Sequence, residues 1–267
     1  MAAFAANSVL CRLALQTTDV DAATFTSVRL AAGALALWLV VRLRGRGVAG
    51  GSWASAAALF VYAAAFSFAY LSLTTGTGAL LLFGAVQLTM IGWGLAHGER
   101  LGGRQTVGVA AALGGLVYLV LPGLEAPPLG AALLMAASGV GWGAYSLRGR
   151  GSRSPAADSA GNFARAVPLA LGLSFVLFAL PGVAVRLDGL GIAYAVLSGA
   201  FTSGLGYVVW YAVLPSLRAA SAATVQLSVP ILAALGGVAL VGEAITLRLA
   251  LASLLTLGGI ALVLRAR

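Results

Sequence analysis

Residues 95–101 read LAHGERL and residues 240–246 read LVGEAIT. In each stretch a long apolar run ends on a Gly-Glu pair, Gly98-Glu99 and Gly242-Glu243. The two glutamates stand 144 residues apart. The same spacing links Gly114-Gly115 to Gly258-Gly259, Thr77 to Ser221 and Phe66 to Trp210. Further upstream, Arg12 with Arg148 and Arg29 with Arg165 keep a spacing of 136. A small insertion between the second and third helices of the later half reconciles the two values. Charged residues and glycines hold register together, which biased apolar composition alone does not produce. The chain therefore reads as two copies of one unit, residues 1–126 and 127–267.

Each copy has the composition of a membrane protein. Of the 267 residues 61% are hydrophobic and 9% charged, with a mean hydropathy of +1.01. A soluble domain carries about a quarter charged residues. The apolar residues come in runs long enough for helices across a hydrocarbon core about 30 Å thick. The alternating segments of a β-barrel are missing. Ten spans are expected, at roughly 1–16, 20–43, 52–75, 77–97, 104–122, 128–148, 159–181, 189–214, 219–241 and 246–264. The first is short, and either continues past Gln16 or has lost residues at the start. The class is an all-α integral membrane protein.

Arginine placement orients the spans. Arg42, Arg44 and Arg46, then Arg100 and Arg104, then Arg148, Arg150 and Arg153, then Arg218, Arg265 and Arg267 all fall on one side if spans alternate. The other side holds Arg186 and Arg248. The positive-inside rule makes the rich side cytoplasmic, with both termini there. The net charge of +9 thus needs no nucleic-acid partner. One cysteine, Cys11, excludes an intramolecular disulfide, and one histidine, His97, argues against a histidine-ligated metal centre. No phosphate loop of the GxxxxGK[ST] kind is present. Five helices per copy is an odd number, so the second copy must cross the membrane inverted. Inverted repeats are an architecture of secondary transporters.

The residues resemble the drug/metabolite transporter superfamily, in its ten-helix EamA-type branch. The resemblance runs through FAANSVLCRLAL, TFTSVRLAAGALAL, FAYLSLTTGTGALLLFGAVQLT and GVAAALGGLVYLV in the first half. In the second it runs through GWGAYSLRGRG, GNFARAVPLAL and AASAATVQLSVPILAALGGVALVGEAIT. One departure is visible. The family's proline in the fourth helix of each half is present as Pro230, whereas Val86 stands at the first-half position. The resemblance implies a central cavity among helices 1, 3, 4, 6, 8 and 9.

Candidate residues follow from type and position. Glycines and small residues at four-residue spacing, such as Gly108/Ala112, Gly139/Gly143 and Gly199/Ser203, suit close helix packing. Aromatic faces comprise Tyr62, Phe66 and Tyr70, then Trp142 and Tyr145, then Tyr207, Trp210 and Tyr211. Asn7, Gln87 and Gln226 add amides within apolar spans. A few convergent polar groups in an apolar pocket describe a small-molecule site. The expected substrate-binding set is Asn7, Phe66, Tyr70, Gln87, Trp142, Tyr145, Trp210, Tyr211 and Gln226. Arg29 and Arg165 lie within spans, where they either bind a substrate carboxylate or fix a helix, with Asp21 and Asp158 two turns away as partners. Glu99 and Glu243 end helices, where the dipole disfavours them, so a nearby arginine or a helix N-terminus should compensate; Arg100, Arg104 and Arg248 are the local candidates. Arg29, Arg165, Glu99, Glu243 and Pro230 form the expected structural or gating set.

The expected function is alternating-access transport of small metabolites such as amino acids, outward across a bacterial inner membrane. No cofactor or metal is expected, the partners are substrate and lipid, and a ten-helix chain holds both halves and could work as a monomer. A channel or scaffold is the alternative. An intramembrane enzyme is a more distant one, because the lone His97 sits at a span end.

Overall fold

The structure is a computed structural model describing residues 1–45, 50–123, 125–150, 152–213 and 225–265. The side chains of Tyr211 and Ala212 lie outside that description, as do residues 214–224 with Arg218 and Ser221. Ten helical segments make up the described residues. They are α1 (Ala2–Thr17), α2 (Ala22–Leu43), α3 (Trp53–Ala69), α4 (Thr75–Ala96), α5 (Gly103–Val120), α6 (Leu129–Gly149) and α7 (Pro155–Phe178). Then come α8, α9 and α10 (Leu247–Arg265). α8 runs through Gly189–Val196, a π-helical stretch Leu197–Leu205, and Gly206–Val213. α9 is Ser228–Gly236 followed by a π-helical turn Gly237–Val241.

The Gly-Glu pairs end α4 and α9 by the same device. Gly98 has φ +90° and Gly242 φ +77°, the left-handed conformation that glycine adopts without a Cβ clash. The Glu99 amide then turns back to the Gly94 carbonyl at 3.0 Å, and the Gly98 amide to the Leu95 carbonyl at 3.1 Å. The Glu243 amide reaches the Gly237 carbonyl at 3.1 Å, one residue wider because α9 ends in a π turn. Both carboxylates fold over their own last turn. A Cβ on Gly94 would lie 2.6 Å from Glu99 Oε2, and one on Gly237 2.5 Å from Glu243 Oε2. Glycine at both places therefore makes room for the acid.

Helix starts follow local chemistry as well. Asp21 Oδ1 accepts the Thr24 amide at 2.8 Å, and Asp188 Oδ1 the Gly191 amide at 2.8 Å. Ser52 Oγ accepts the Ser55 amide at 3.2 Å. α7 opens on Pro155, whose missing N–H is harmless in a first turn. The third expected span stops earlier, at Ala69, and the fourth helix begins at Thr75 rather than 77. The Thr-Gly-Thr-Gly stretch thus forms the first turn of α4 instead of a loop. Pro230 occupies the first turn of Ser228–Gly236, where it interrupts no intrahelical bond.

Among the described residues six helices are long and apolar enough to cross a membrane: α2, α4, α5, α7, Gly189–Trp210 of α8, and α10. α3 and Ser228–Val241 of α9 are shorter apolar helices. Large apolar side chains face outward, among them Leu133, Phe175, Val209 and Leu254. In water such a girdle would be an aggregation surface; in lipid it matches its solvent.

Since lipid supplies no hydrophobic push between helices, close backbone approach must hold them. α5 lies along α10, α2 along α7, α3 along α6, α4 along α6 and α9, and α1 and α2 along α8. Glycines make these crossings. A Cβ on Gly108 would lie 2.6 Å from the Gly259 carbonyl, and one on Gly259 2.5 Å from the Gly108 carbonyl. A Cβ on Gly199 would collide with the Arg29 carbonyl, locking α8 against α2. Gly139 and Gly143 meet Ala85 and Thr89 of α4. Gly114, one face away, meets nothing within 4 Å. Gly108→Val should therefore lower stability by about 1–3 kcal/mol, the range for overpacking a tight interior. The measurement is the thermal midpoint in detergent, with Gly114→Ala as a control that leaves it unchanged.

Candidate functional site

Three helices, α1, α2 and α3, converge on the hydroxyl of Tyr62, and α8 joins them through Asn7. Asn7 Nδ2 donates to it at 3.0 Å and Arg29 Nη2 at 2.8 Å. A phenol oxygen has two lone pairs, so it can accept both. Asn7 is itself held from the other side. Its Oδ1 accepts from Ser198 Oγ at 2.5 Å and from Thr202 Oγ1 at 3.4 Å, while Thr202 Oγ1 also reaches the Ser198 carbonyl at 2.7 Å. Both hydroxyls come from the π-helical stretch of α8.

Arg29 is 1% exposed. Its guanidinium lies 5.1 Å from the Tyr62 ring centre and 4.8 Å from that of Phe66. The aromatic wall continues as Tyr62, Trp142 and Tyr207, with ring centres 5.0 Å apart at each step. Phe4 closes it, 6.2 Å from Trp142, 5.9 Å from Tyr207 and 6.2 Å from Trp210. Inside this wall lies a small cavity lined by Phe4, Asn7, Tyr62, Phe66 and Trp142, with Leu82 and Phe83 of α4. Its free volume is ≈ 10 Å³, about one water centre. On the far side of Phe4 is an apolar cavity of ≈ 420 Å³, lined by Met1, Phe201, Val209 and Trp210 among others. Phe4 belongs to both linings and separates them.

Toward the opposite end of α1 a charged group ties three helices. Arg12 Nε donates to Glu243 Oε1 at 3.0 Å, and Arg12 Nη1 to the Tyr70 carbonyl at 2.9 Å. Glu243 Oε2 accepts the Thr75 amide at 2.7 Å. The glutamate that ends α9 thus caps α4. The expected local partner, Arg248, is elsewhere: its Nη1 donates to the Leu121 carbonyl at 2.6 Å. A sequence neighbour could not do this work because α10 carries Arg248 away from the tip of α9.

Other expected residues spread out. Phe66 and Trp142 join the central wall, Trp210 meets it through Phe4, and Tyr70 sits below it, its ring 4.7 Å from Phe66 and its hydroxyl donating to the Thr75 carbonyl at 3.3 Å. Gln87 is buried on α4 and Gln226 is half-buried before α9, both outside the linings of the two cavities. The Tyr211 side chain lies outside the described residues. Tyr145 faces a third, polar cavity of ≈ 230 Å³ where α3 and α7 begin and α6 ends. Arg148 lines that cavity, its Nε donating to Ser55 Oγ at 3.1 Å. Arg165 does not sit like Arg29. It is half-buried, and its Nη1 donates to the Gly50 and Gly161 carbonyls at 2.8 and 2.9 Å. The expected acids pair with neither arginine: Asp21 caps α2 and accepts the Arg186 amide, and Asp158 accepts the Gly51 amide. Each acid has amide donors closer than the arginine two turns away.

This is the arrangement of a multi-pass helical membrane protein built around an enclosed polar centre. The chain belongs to the EamA-like transporter family, whose model matches residues 129–265. It is 58% identical over 245 residues to an uncharacterized protein of Pseudomonas aeruginosa, an alignment covering 91% of this chain and 84% of that one. A protein solved by crystallography is similar in fold, with a TM-score of 0.68 at 24% identity, over 98% of this chain and 95% of the other.

Sequence reasoning passed over Phe4 and Ser198, and noted Thr202 only as a small residue at packing spacing and Tyr62 and Tyr207 only as members of aromatic faces. Serines and threonines in apolar helices usually bond to their own backbone, so nothing singled these two out. Tyr62→Phe tests the centre. It leaves a buried guanidinium without its one hydrogen bond among the described residues, worth about 1.5–3 kcal/mol for a charged donor. The thermal midpoint in detergent should fall accordingly, and Tyr194→Phe, at a half-buried position of α8, should leave it unchanged.

Proposed function

We propose that the protein is a secondary transporter that exports small metabolites, amino acids among them, across a bacterial inner membrane by alternating access. The reading comprises ten spans in two inverted five-helix repeats, residues 1–126 and 127–267, with both termini cytoplasmic. One observation carries it. The centre is shut at one end by the Arg12–Glu243–Thr75 tie and approached at the other through an apolar cavity that stops at Phe4. By the arginine count, the shut end is the outer one.

Packing supports the duplication. Exchanging each helix with the one five places later turns α3·α6 into α8·α1, α4·α6 into α9·α1 and α3·α7 into α8·α2, and all of these are packed pairs. α5·α10, α2·α7 and α4·α9 map onto themselves. At the middle of α5·α10, Thr256 Oγ1 approaches the Ala112 carbonyl at 3.5 Å, two positions 144 residues apart. Residues that match across a two-fold axis must meet where the axis passes. Glu243 then locks the outer end, and its counterpart Glu99 belongs to the inner one. For export, the tie must open once the substrate has passed Phe4.

Transport is tested by counterflow in proteoliposomes, with a panel of labelled amino acids and nucleosides. Saturable uptake accelerated by unlabelled substrate inside supports a carrier; conductance that neither saturates nor responds to the far side establishes a channel instead. The tie has its own test. Glu243→Ala removes a charge-assisted bond to the Thr75 amide, worth about 1.5–3 kcal/mol. Amide exchange in the first turn of α4 should quicken by roughly ten- to a hundred-fold, a factor of ten per 1.4 kcal/mol. Glu243→Gln, which keeps an acceptor, should show a smaller rise.

A further inference from the structure

The unexplained group in the centre is Arg29. A guanidinium presents five N–H donors in a planar fork. Here the Tyr62 hydroxyl takes one from Nη2, the Tyr62 and Phe66 rings lie together on one side, and Nη1 has no hydrogen-bond partner among the described residues. Arg29 pairs with no carboxylate among the described residues, whose one ion pair is Arg12–Glu243. A charge held in a low-dielectric interior without a counter-charge is strongly disfavoured, and intramembrane arginines persist where they face a partner or a pathway. Arg165 shows what a merely structural arginine looks like in this chain: two carbonyls hold its Nη1. Arg29 has no such carbonyls.

We propose, building on the transport reading, that Arg29 is the receptor for an anionic head group, so that the substrates are small organic carboxylates with a planar apolar body. The unused edge of the fork matches a carboxylate, which takes two parallel N–H bonds. Asn7 and Tyr62 line the small cavity, and Arg29, bonded to the same Tyr62 hydroxyl, lies outside that lining, so a carboxylate reaches its fork only when these side chains move. The body fits the other walls. The ≈ 420 Å³ cavity beyond Phe4 is apolar and bears Phe201 and Trp210. Admission past Phe4 requires the rings of Phe4 and Trp142 to part, because the inner cavity holds about one water centre as it stands.

Three probes of equal length separate charge from shape: 3-phenylpropionate, 3-phenylpropanol and 3-phenylpropylamine. Binding to the purified full chain in detergent is read by saturable rise of the thermal midpoint. The acid should bind at least ten-fold more tightly than the alcohol or the amine. Arg29→Gln should erase that preference, and Arg29→Lys should keep part of it. If Arg29→Gln does not fold, the ranking of the three probes on the unaltered protein decides alone. Equal or tighter binding of the alcohol or amine overturns the proposal, and so does binding of none of the three. Acid-selective binding without counterflow of any substrate would retire the transport reading and leave the anion site standing. Counterflow with no acid preference would do the reverse.

Discussion

Backbone-to-backbone contact at glycine is the constraint on which the rest of this structure depends. Between α5 and α10 the carbonyls of Gly108 and Gly259 each occupy the space where the other residue's Cβ would be. Between α2 and α8 Gly199 presses on the Arg29 carbonyl. In hydrocarbon there is no gain from hiding leucine, so helices stay together through dispersion at such short range. That demand explains the glycines at these crossings, and the close approach brings the polar atoms of α1, α2, α3 and α8 within bonding distance of one another.

Under the proposed duplication, the matched positions differ where charge is concerned. Arg29 lies beside the Tyr62 and Phe66 rings at the centre, while its sequence match Arg165 is satisfied by carbonyls near the start of α7. Arg12 ties Glu243, while its match Arg148 faces serines in a polar cavity. Under the proposed two-fold relation these differences record which end is shut. A symmetric sequence in an asymmetric conformation is what alternating access requires, since each half must be able to take the other's shape.

Much of this was legible from the chain itself. The Gly-Glu pairs, the long apolar runs and the register of glycines foreshadow ten helices with matching ends, and long apolar runs are the strongest sequence signal there is. The aromatic faces of α3, α6 and α8 could be read from three- and four-residue spacing, and Phe66 and Trp142 do reach the centre. What could not be read was pairing between distant segments. Glu243 takes its arginine from residue 12 and its amide donor from residue 75. Ser198 and Thr202 look like ordinary helix residues until a π-helical stretch turns both toward Asn7. Helix ends blurred for a related reason: the Thr75 amide is satisfied from another helix, so α4 starts within a stretch that reads as a turn.

The chain's single cysteine has a practical consequence. Cys11 is fully buried among α1 neighbours and out of reach of any polar reagent. Thiol chemistry proceeds through an accessible thiolate. A folded preparation should therefore be silent toward a membrane-impermeant maleimide without first being stripped of its native cysteine. Any thiol introduced at a loop becomes the sole reporter of the compartment it occupies, in the wild-type background and with the packing around Asn7 undisturbed.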